Sequence, residues 1–263
     1  MALSTYAILG ATGHCGKAMI EVILQDPDAR IHAYCRNKPK LLKALPHLAD
    51  HPQVEIFEGS IQDVDLLARC MKGTKAVVHA VSTNTNVPKY TVGFETAQSI
   101  IAALEKLKAD DPNTRLPKLL LLSSAMTDKQ LSQNINKIFG HIMHTAASYV
   151  YDDLDKTEAY LRKHEDLVTT IYIKPGGLSV DIQRGHKISL TEQETFVSYL
   201  DLAAAMKEAA DDPDGRYDGK AVSVVNANTP ARFPPGTFWC IVTGLIRHFL
   251  PFTHPYLPTP GPE

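Results

Sequence analysis

The sequence predicts a doubly wound parallel α/β fold. Three observations lead there. Short apolar runs alternate with longer helical patterns through the first half of the chain. A glycine-rich turn follows the first apolar run directly. The apolar runs lack polar alternation, as strands covered on both faces do.

The elements follow in order. Tyr6 to Leu9 reads as a strand, and Cys15 to Leu24 as a helix broken by Asp26-Pro27. Ile31 to Cys35 is the next strand, and Lys40 to Leu45 a short helix. Val54 to Phe57 is a strand, Val64 to Met71 a helix, and Ala76 to Val81 a strand. Ala97, Ile100, Ile101, Leu104 and Leu107 lie at helical spacing. Leu119 to Leu122 is a fully apolar strand. Gln130 to Glu165 reads as two helices meeting near Gly140. Val168 to Ile173 is a strand, Asp201 to Ala210 a helix with Asp201 as its N-cap, and Ala221 to Val225 a late strand. The tail after Asn228 is rich in proline and aromatic residues. No repeat or low-complexity linker interrupts the chain, so a single domain over 1–263 is expected. Residues from about 178 to 263 would include a substrate-covering part.

Composition narrows the class. The chain has 263 residues, 44% hydrophobic and 21% charged, which excludes general disorder, collagen-like and coiled-coil architectures. Net charge is −2 and no long basic run occurs, so nucleic-acid binding is not indicated. Cys15, Cys35, Cys70 and Cys240 form no CxxC pair, which argues against zinc and a disulfide framework and for a reducing cytosol. The eleven histidines form no HExxH cluster, so no metal site is expected. The N-terminus has no basic region and no long apolar core, so it does not read as a secretory signal. The charge-free stretch from Phe233 to Ile246 is too short for a transmembrane segment. A cytoplasmic location is expected.

Gly10-Ala11-Thr12-Gly13-His14-Cys15-Gly16 sits after the first strand and opens the first helix. Glycines there permit a tight turn, close backbone approach to a pyrophosphate, and close helix–strand packing. The helix N-terminus offers N–H groups and the positive end of its dipole. The spacing is GxxGxxG rather than GxGxxG. The second strand ends in Arg36 with no Asp or Glu beside it, so a 2′-phosphate is a better partner than a ribose 2′-hydroxyl. This selects NADP(H) over NAD; the alternative is a solvated basic turn. Asp63 flanks the adenine or caps the next helix. Ser82 follows the fourth strand, in a stretch suited to line the adenosine and ribose. Ser123 and Ser124 end the fifth strand, where a hydroxyl orients a substrate carbonyl or merely caps the chain. Cys15 near a helix N-terminus is either a redox-sensitive thiol or a small side chain packed under the turn.

On these residues, with Leu119-Leu120-Leu121-Leu122-Ser123-Ser124 and Lys174-Pro175-Gly176-Gly177-Leu178, the chain resembles an atypical short-chain dehydrogenase/reductase of the NmrA-like NAD(P)-binding type. The likeness spans roughly residues 4 to 226. Thr195 to Asp201 and Gly244 to Pro251 are similar to a narrower group, the averufin-oxidase-like proteins of fungal aromatic polyketide pathways. The resemblance implies a Rossmann-type fold, NADP(H) binding, and redox tailoring of a polycyclic phenolic substrate. It also implies that Lys174, Pro175, Gly176 and Leu178 pass the nicotinamide.

A regular short-chain reductase also carries Tyr-x-x-x-Lys, one helical turn that puts both side chains on one face. This chain departs from that pattern. Lys156 is preceded at four residues by Asp152, while Tyr149 and Tyr151 lie seven and five residues before it. Tyr149 shares the lysine's face and Tyr151 points elsewhere. Asp152 with Lys156 reads equally as a surface ion pair. The general acid stays open among Tyr149, Tyr151, Asp152, His144 and water, or hydride transfer rests on positioning alone.

The apolar segment from Phe233 to Pro251 holds the single tryptophan, Trp239. It reads as a pocket wall, a homodimer interface, a peripheral membrane contact with a basic face of Arg247 and His248, or a terminal helix packed on the core. The expected activity is an NADPH-dependent oxidoreductase acting on a carbonyl, quinone or enone of an aromatic small molecule. Two rivals share the fold: a non-redox isomerase, epoxide-opening or cyclising enzyme, and an NADP(H)-sensing regulator that binds a protein.

Overall fold

Alternation of side chains along the first strand organises the molecule. In β1 (Ser4–Leu9), Tyr6 and Ile8 point to one side and Ala7 and Leu9 to the other, and all four are buried. A strand apolar on both faces requires helices on both. The computed structural model, which describes residues 4–258, supplies them. Residues 1–3 open the segment read as lacking a secretory signal, and 259–263 end the expected substrate-covering part. Both lie outside the described residues.

Chain order continues with α1 (His14–Ile23), β2 (Ala29–Cys35), α2 (Lys38–Ala44), β3 (Val54–Glu58), α3 (Val64–Met71), β4 (Ala76–His79), α4 (Val92–Asp110) and β5 (Lys118–Leu122). Then come α5 (Lys137–Ala146), α6 (Ser148–Arg162), β6 (Thr170–Ile173), β7 (Leu178–Ser179), β8 (His186–Ser189), β9 (Val197–Ser198), α7 (Tyr199–Asp211), β10 (Ala221–Asn226) and α8 (Thr237–Phe249). The main sheet has eight strands in the order β3-β2-β1-β4-β5-β6-β10-β8. All neighbours pair in parallel except β10 with β8. β7 and β9 form a separate parallel pair. The order reverses between β1 and β4, which makes a crevice beyond their carboxyl ends. This is the expected doubly wound, Rossmann-type sheet.

One core layer joins Tyr6, Ile8 and Ile31 to Met19 and Ile20 of α1 and Leu202 and Met206 of α7. The other joins Ala7, Leu9 and Leu119 to Leu67 of α3 and Ile100 and Leu104 of α4.

Several boundaries differ from the sequence reading. β4 stops at His79 rather than Val81. Burial lowers the His79 pKa to about 4, and its Nε2 lies 2.9 Å from the Gly93 carbonyl oxygen. A neutral ring donating there ties the strand end to α4. The break between α5 and α6 falls at Ala147, not near Gly140, which sits inside α5. Asp201 is not the N-cap of α7. Ser198 caps it, accepting from Asp201 N–H at 3.0 Å and donating its hydroxyl to the Asp201 carboxylate at 2.6 Å. That carboxylate also accepts from the Arg184 and Gly185 N–H groups, so Asp201 holds the loop before β8. β7, β8 and β9 are short and half polar, and the sequence pattern had shown no strand there.

α4 starts against α6. The Asp153 carboxylate accepts from Gly93 N–H at 2.9 Å and Phe94 N–H at 3.1 Å. A Cβ on Gly93 would lie 2.5 Å from that carboxylate, so glycine is needed for the approach. Asp153→Ala is expected to lower stability by about 1–2 kcal/mol through loss of this cap. A denaturant titration checks it, and an unchanged midpoint would contradict the capping role.

Candidate active site and nucleotide cleft

The turn between β1 and α1 is built by close approaches. Gly10 has φ +92°, and a Cβ there would lie 2.6 Å from the Ala80 carbonyl oxygen at the β4 exit. A Cβ on Gly16 would overlap the Gly10 carbonyl oxygen, so only glycine lets α1 lie this close to β1. Gly13 differs. It is exposed, and a Cβ there would make just an ordinary 3.4 Å contact with the Gly10 oxygen. No packing within the described residues demands glycine at that point. Gly13 is the N-cap of α1, no side chain caps the helix, and its first turn holds no acidic residue. The first intrahelical bond runs from Lys17 N–H to the Gly13 carbonyl at 2.9 Å. An uncapped helix end under an open glycine is a cradle for a diphosphate. The residues present therefore fit the nucleotide that the motif implies.

The cleft's walls come from distant segments. His14 stacks on Tyr199 at 5.3 Å, and the Tyr199 hydroxyl lies near the Asn84 side chain. Thr12 is half-buried in the turn and Ser82 is exposed on the β4 exit. Arg36 is exposed at the end of β2. Glu58 reaches the same turn, but its carboxylate accepts from Lys38 N–H at 2.8 Å. Asp63 is the N-cap of α3, accepting from Leu66 N–H at 2.9 Å. Cys15 is buried with its Sγ 3.9 Å from Met206 Sδ, and burial pushes its pKa up to about 12. Of the two readings of Cys15, the structure therefore shows the packed side chain.

At the ends of β5 and β6 lies a buried charged network. Ser123 Oγ donates to Glu158 Oε1 at 2.5 Å, and Thr127 Oγ1 donates to the same oxygen at 3.1 Å. Lys174 Nζ pairs with Glu158 Oε2 at 2.8 Å, donates to Thr127 at 3.1 Å, and lies 3.5 Å from Asp128. Lys174 is thus turned into the protein, with its ammonium committed to carboxylates. Ser123 and Ser124 part company. Ser123 has spent its proton on Glu158, whereas the half-buried Ser124 lies near the Tyr151 hydroxyl and accepts from Met126 N–H at 3.2 Å. Burial raises the Tyr151 pKa, so the phenol stays protonated at neutral pH. The His144 ring lies 5.5 Å away.

Tyr149 and Lys156 stand apart from this cluster. Tyr149 is half-buried beside the His248 ring at 6.4 Å. Lys156 is exposed. The position one turn after Tyr149, where a Tyr-x-x-x-Lys lysine would fall, is Asp153, already used to cap α4. Pro175 is buried, and its carbonyl accepts from Ala125 N–H at 2.9 Å. Side chains on Gly176 and Gly177 would meet Thr195 Oγ1 at 2.6 Å and the Phe196 ring at 2.6 Å, so a protein segment packs on these glycines. Leu178 continues into β7. Sequence reasoning missed Glu158, Thr127 and Asp128. The available signal was helical: Glu158 lies two turns after Tyr151, on the same inward face.

Residues 10–213 match the model of a family described as NAD(P)H-binding. The chain belongs to the NAD(P)H-binding family. Its relatives include Oxidoreductase AgnL4 of Paecilomyces divaricatus, 59% identical over 99% of this chain and 100% of that one. Oxidoreductase tpcG of Aspergillus fumigatus is 55% identical over 98% of this chain and 97% of that one. The family group is therefore one of oxidoreductases. Among solved structures, a short-chain dehydrogenase/reductase from Veillonella parvula in complex with NADP superposes with TM-score 0.64 at 18% identity, over 88% of this chain and 99% of that one. At that identity the likeness establishes the fold.

Removing one member of the buried pair strands the other. Lys174→Met is expected to cost about 3–5 kcal/mol, and the double variant Lys174→Met, Glu158→Leu less than the two single losses combined. Chemical denaturation of all three variants measures this; additive losses would show that the charges do not interact.

Proposed function

We propose that the protein is an NADP(H)-dependent oxidoreductase acting on a carbonyl, quinone or enone of an aromatic polyketide-type substrate. Tyr151 and Ser124 are the hydroxyl pair at the reacting oxygen. The observation that carries this reading is the buried Tyr151 phenol near Ser124 just past the carboxyl end of β5, on the crevice side of the sheet. The aromatic substrate class is supported by the resemblance to averufin-oxidase-like proteins and by the Tyr149 and His248 rings beside α6.

Gly10, Thr12, Gly13 and the start of α1 hold the diphosphate, and Arg36 pairs with the 2′-phosphate. Asp63 and Ser82 border the adenosine, and the main chain from Pro175 to Leu178 borders the nicotinamide. Bound there, the cofactor supplies or accepts the hydride. Tyr151 keeps its proton because burial disfavours the phenolate. In reduction it donates that proton to the substrate oxygen, which Ser124 steadies. Ser123 instead positions the β5 end by its bond to Glu158. Lys156, exposed on α6, faces solvent rather than this pair.

Arg36→Ala is expected to weaken NADPH binding by about tenfold or more while leaving NADH within about twofold, because one charge-assisted bond is lost. Titration calorimetry with NADPH, NADP, NADH and NAD measures it; equal weakening of all four would contradict the 2′-phosphate role. Tyr151→Phe is expected to lower kcat by about 10²-fold or more with the NADPH Kd unchanged. In the reducing direction the wild-type rate should be flat through neutral pH. It should fall only at alkaline pH beyond the ordinary phenol range, because burial raises the Tyr151 pKa. Turnover that persists without nucleotide would favour an isomerase or cyclase on the same fold. Tight, redox-dependent capture of a protein without turnover would favour a regulator.

A further inference from the structure

Helix α5 carries apolar side chains with nothing over them. Of its ten residues Ala146 alone is buried, and Ile138 and Phe139 are 73% and 51% exposed. Helix α8 lies against it, where Gly244 abuts the Ala146 carbonyl so closely that a Cβ would overlap it. α8 turns Thr243, Gly244 and Arg247 inward. It leaves Trp239 63% exposed, and Tyr256 just beyond it is 87% exposed. Phe238, Phe249 and Phe252 are exposed as well. Surface helices ordinarily hide their apolar stripe. Two adjacent helices that display it mark an interaction surface.

Charge selects the occupant. Asp and Glu number 29 in 263 residues, yet none falls between Lys129 and Tyr151 or between Gly219 and Pro258, the two stretches that build this surface. The fixed charges there are cationic. Lys129 and Lys137 are exposed; Arg232 is exposed too, but its Nε pairs with the buried Asp181 carboxylate at 3.9 Å and its backbone N–H donates to the same carboxylate at 2.9 Å. His141 on α5 adds a protonatable ring. Arg247 does not contribute. Its buried guanidinium donates to His254 Nδ1 at 3.0 Å and to the Pro258 carbonyl at 2.7 Å, folding the tail back over α8. A second copy laid on this face would bring like charges together with no carboxylate to offset them. A bilayer with anionic headgroups offers hydrocarbon for the aromatic rings and negative charge for the lysines.

We propose that the α5–α8 face docks on an anionic lipid bilayer. Among the described residues no helix is long and apolar enough to cross a membrane, so the contact is peripheral. The face adjoins the site through Asn86, which follows β4. Its side-chain amide donates to the Gly244 carbonyl at 3.2 Å and its oxygen accepts from Tyr149 N–H at 2.9 Å. An apolar substrate dissolved in the bilayer then has a short path to the crevice.

Trp239 is the single tryptophan, so its emission reports the contact directly. The full chain is mixed with phosphatidylcholine vesicles and with vesicles in which phosphatidylserine replaces part of that lipid. Co-flotation and a blue shift are expected on the anionic vesicles, about tenfold weaker on the neutral ones, and diminished by salt. Lys129→Glu with Lys137→Glu should weaken partitioning by about fivefold per charge, with thermal melting unchanged. Phe139→Ser with Phe252→Ser should weaken it on both vesicle types. No flotation and no shift on anionic vesicles overturns the proposal. So does a blue shift that grows with protein concentration in the absence of lipid, which would mean that a second copy covers the face. NADPH turnover is not the readout, so failure of the redox reading would leave this result intact.

Discussion

Everything in the crevice depends on how closely α1 lies on β1. At Gly16 the helix presses on the Gly10 carbonyl, leaving no room for a Cβ. That contact fixes where α1 begins and aims its uncapped N-terminus at the space beyond β1. Gly10, with positive φ, presses the same turn against the β4 exit. Helix start, strand end and neighbouring loop are thus set by one crowded point. Gly13 faces open space, and no packing among the described residues requires glycine there.

The opposite side of the crevice is held by charge. Glu158 on α6 and Lys174 after β6 meet in the interior, and Ser123 and Thr127 satisfy the remaining lone pairs. A buried ion pair contributes less to stability than to uniqueness, since a shift of either element would strand a charge. It locks α6 in rotation about its own axis. The same rotation turns Tyr151 toward Ser124 and Lys156 toward solvent. Asp153, gripping the start of α4, reinforces it from another face.

The glycine turn of the candidate nucleotide site was legible in the sequence because its determinants are local. A glycine turn, a helix start and a strand-end arginine all lie within residues 10 to 36. The network at the ends of β5 and β6 was not, because its partners are far apart: Ser123 and Glu158, or Glu158 and Lys174. Tyr-x-x-x-Lys is a spacing rule for one helix, and it could not reveal a lysine arriving from a neighbouring strand. Residues 193–196 pack on Gly176 and Gly177, a partner that no local pattern announces. The α5–α6 break fell at Ala147 instead of Gly140, because Asn136 caps α5 and carries the helix through that glycine.

By itself, then, the sequence determined the doubly wound class and the parallel strands. It also determined the position of the glycine turn between β1 and α1, since hydrophobic period and glycine placement act over short stretches of chain. Tertiary structure decided which serine bonds to Glu158, which tyrosine faces inward, and which lysine is buried. It also decided that the aromatic groups of α5 and α8 stand outward. Each of these is a matter of helix rotation and long-range pairing. Such choices are settled when distant charges must find partners and distant backbones must fit.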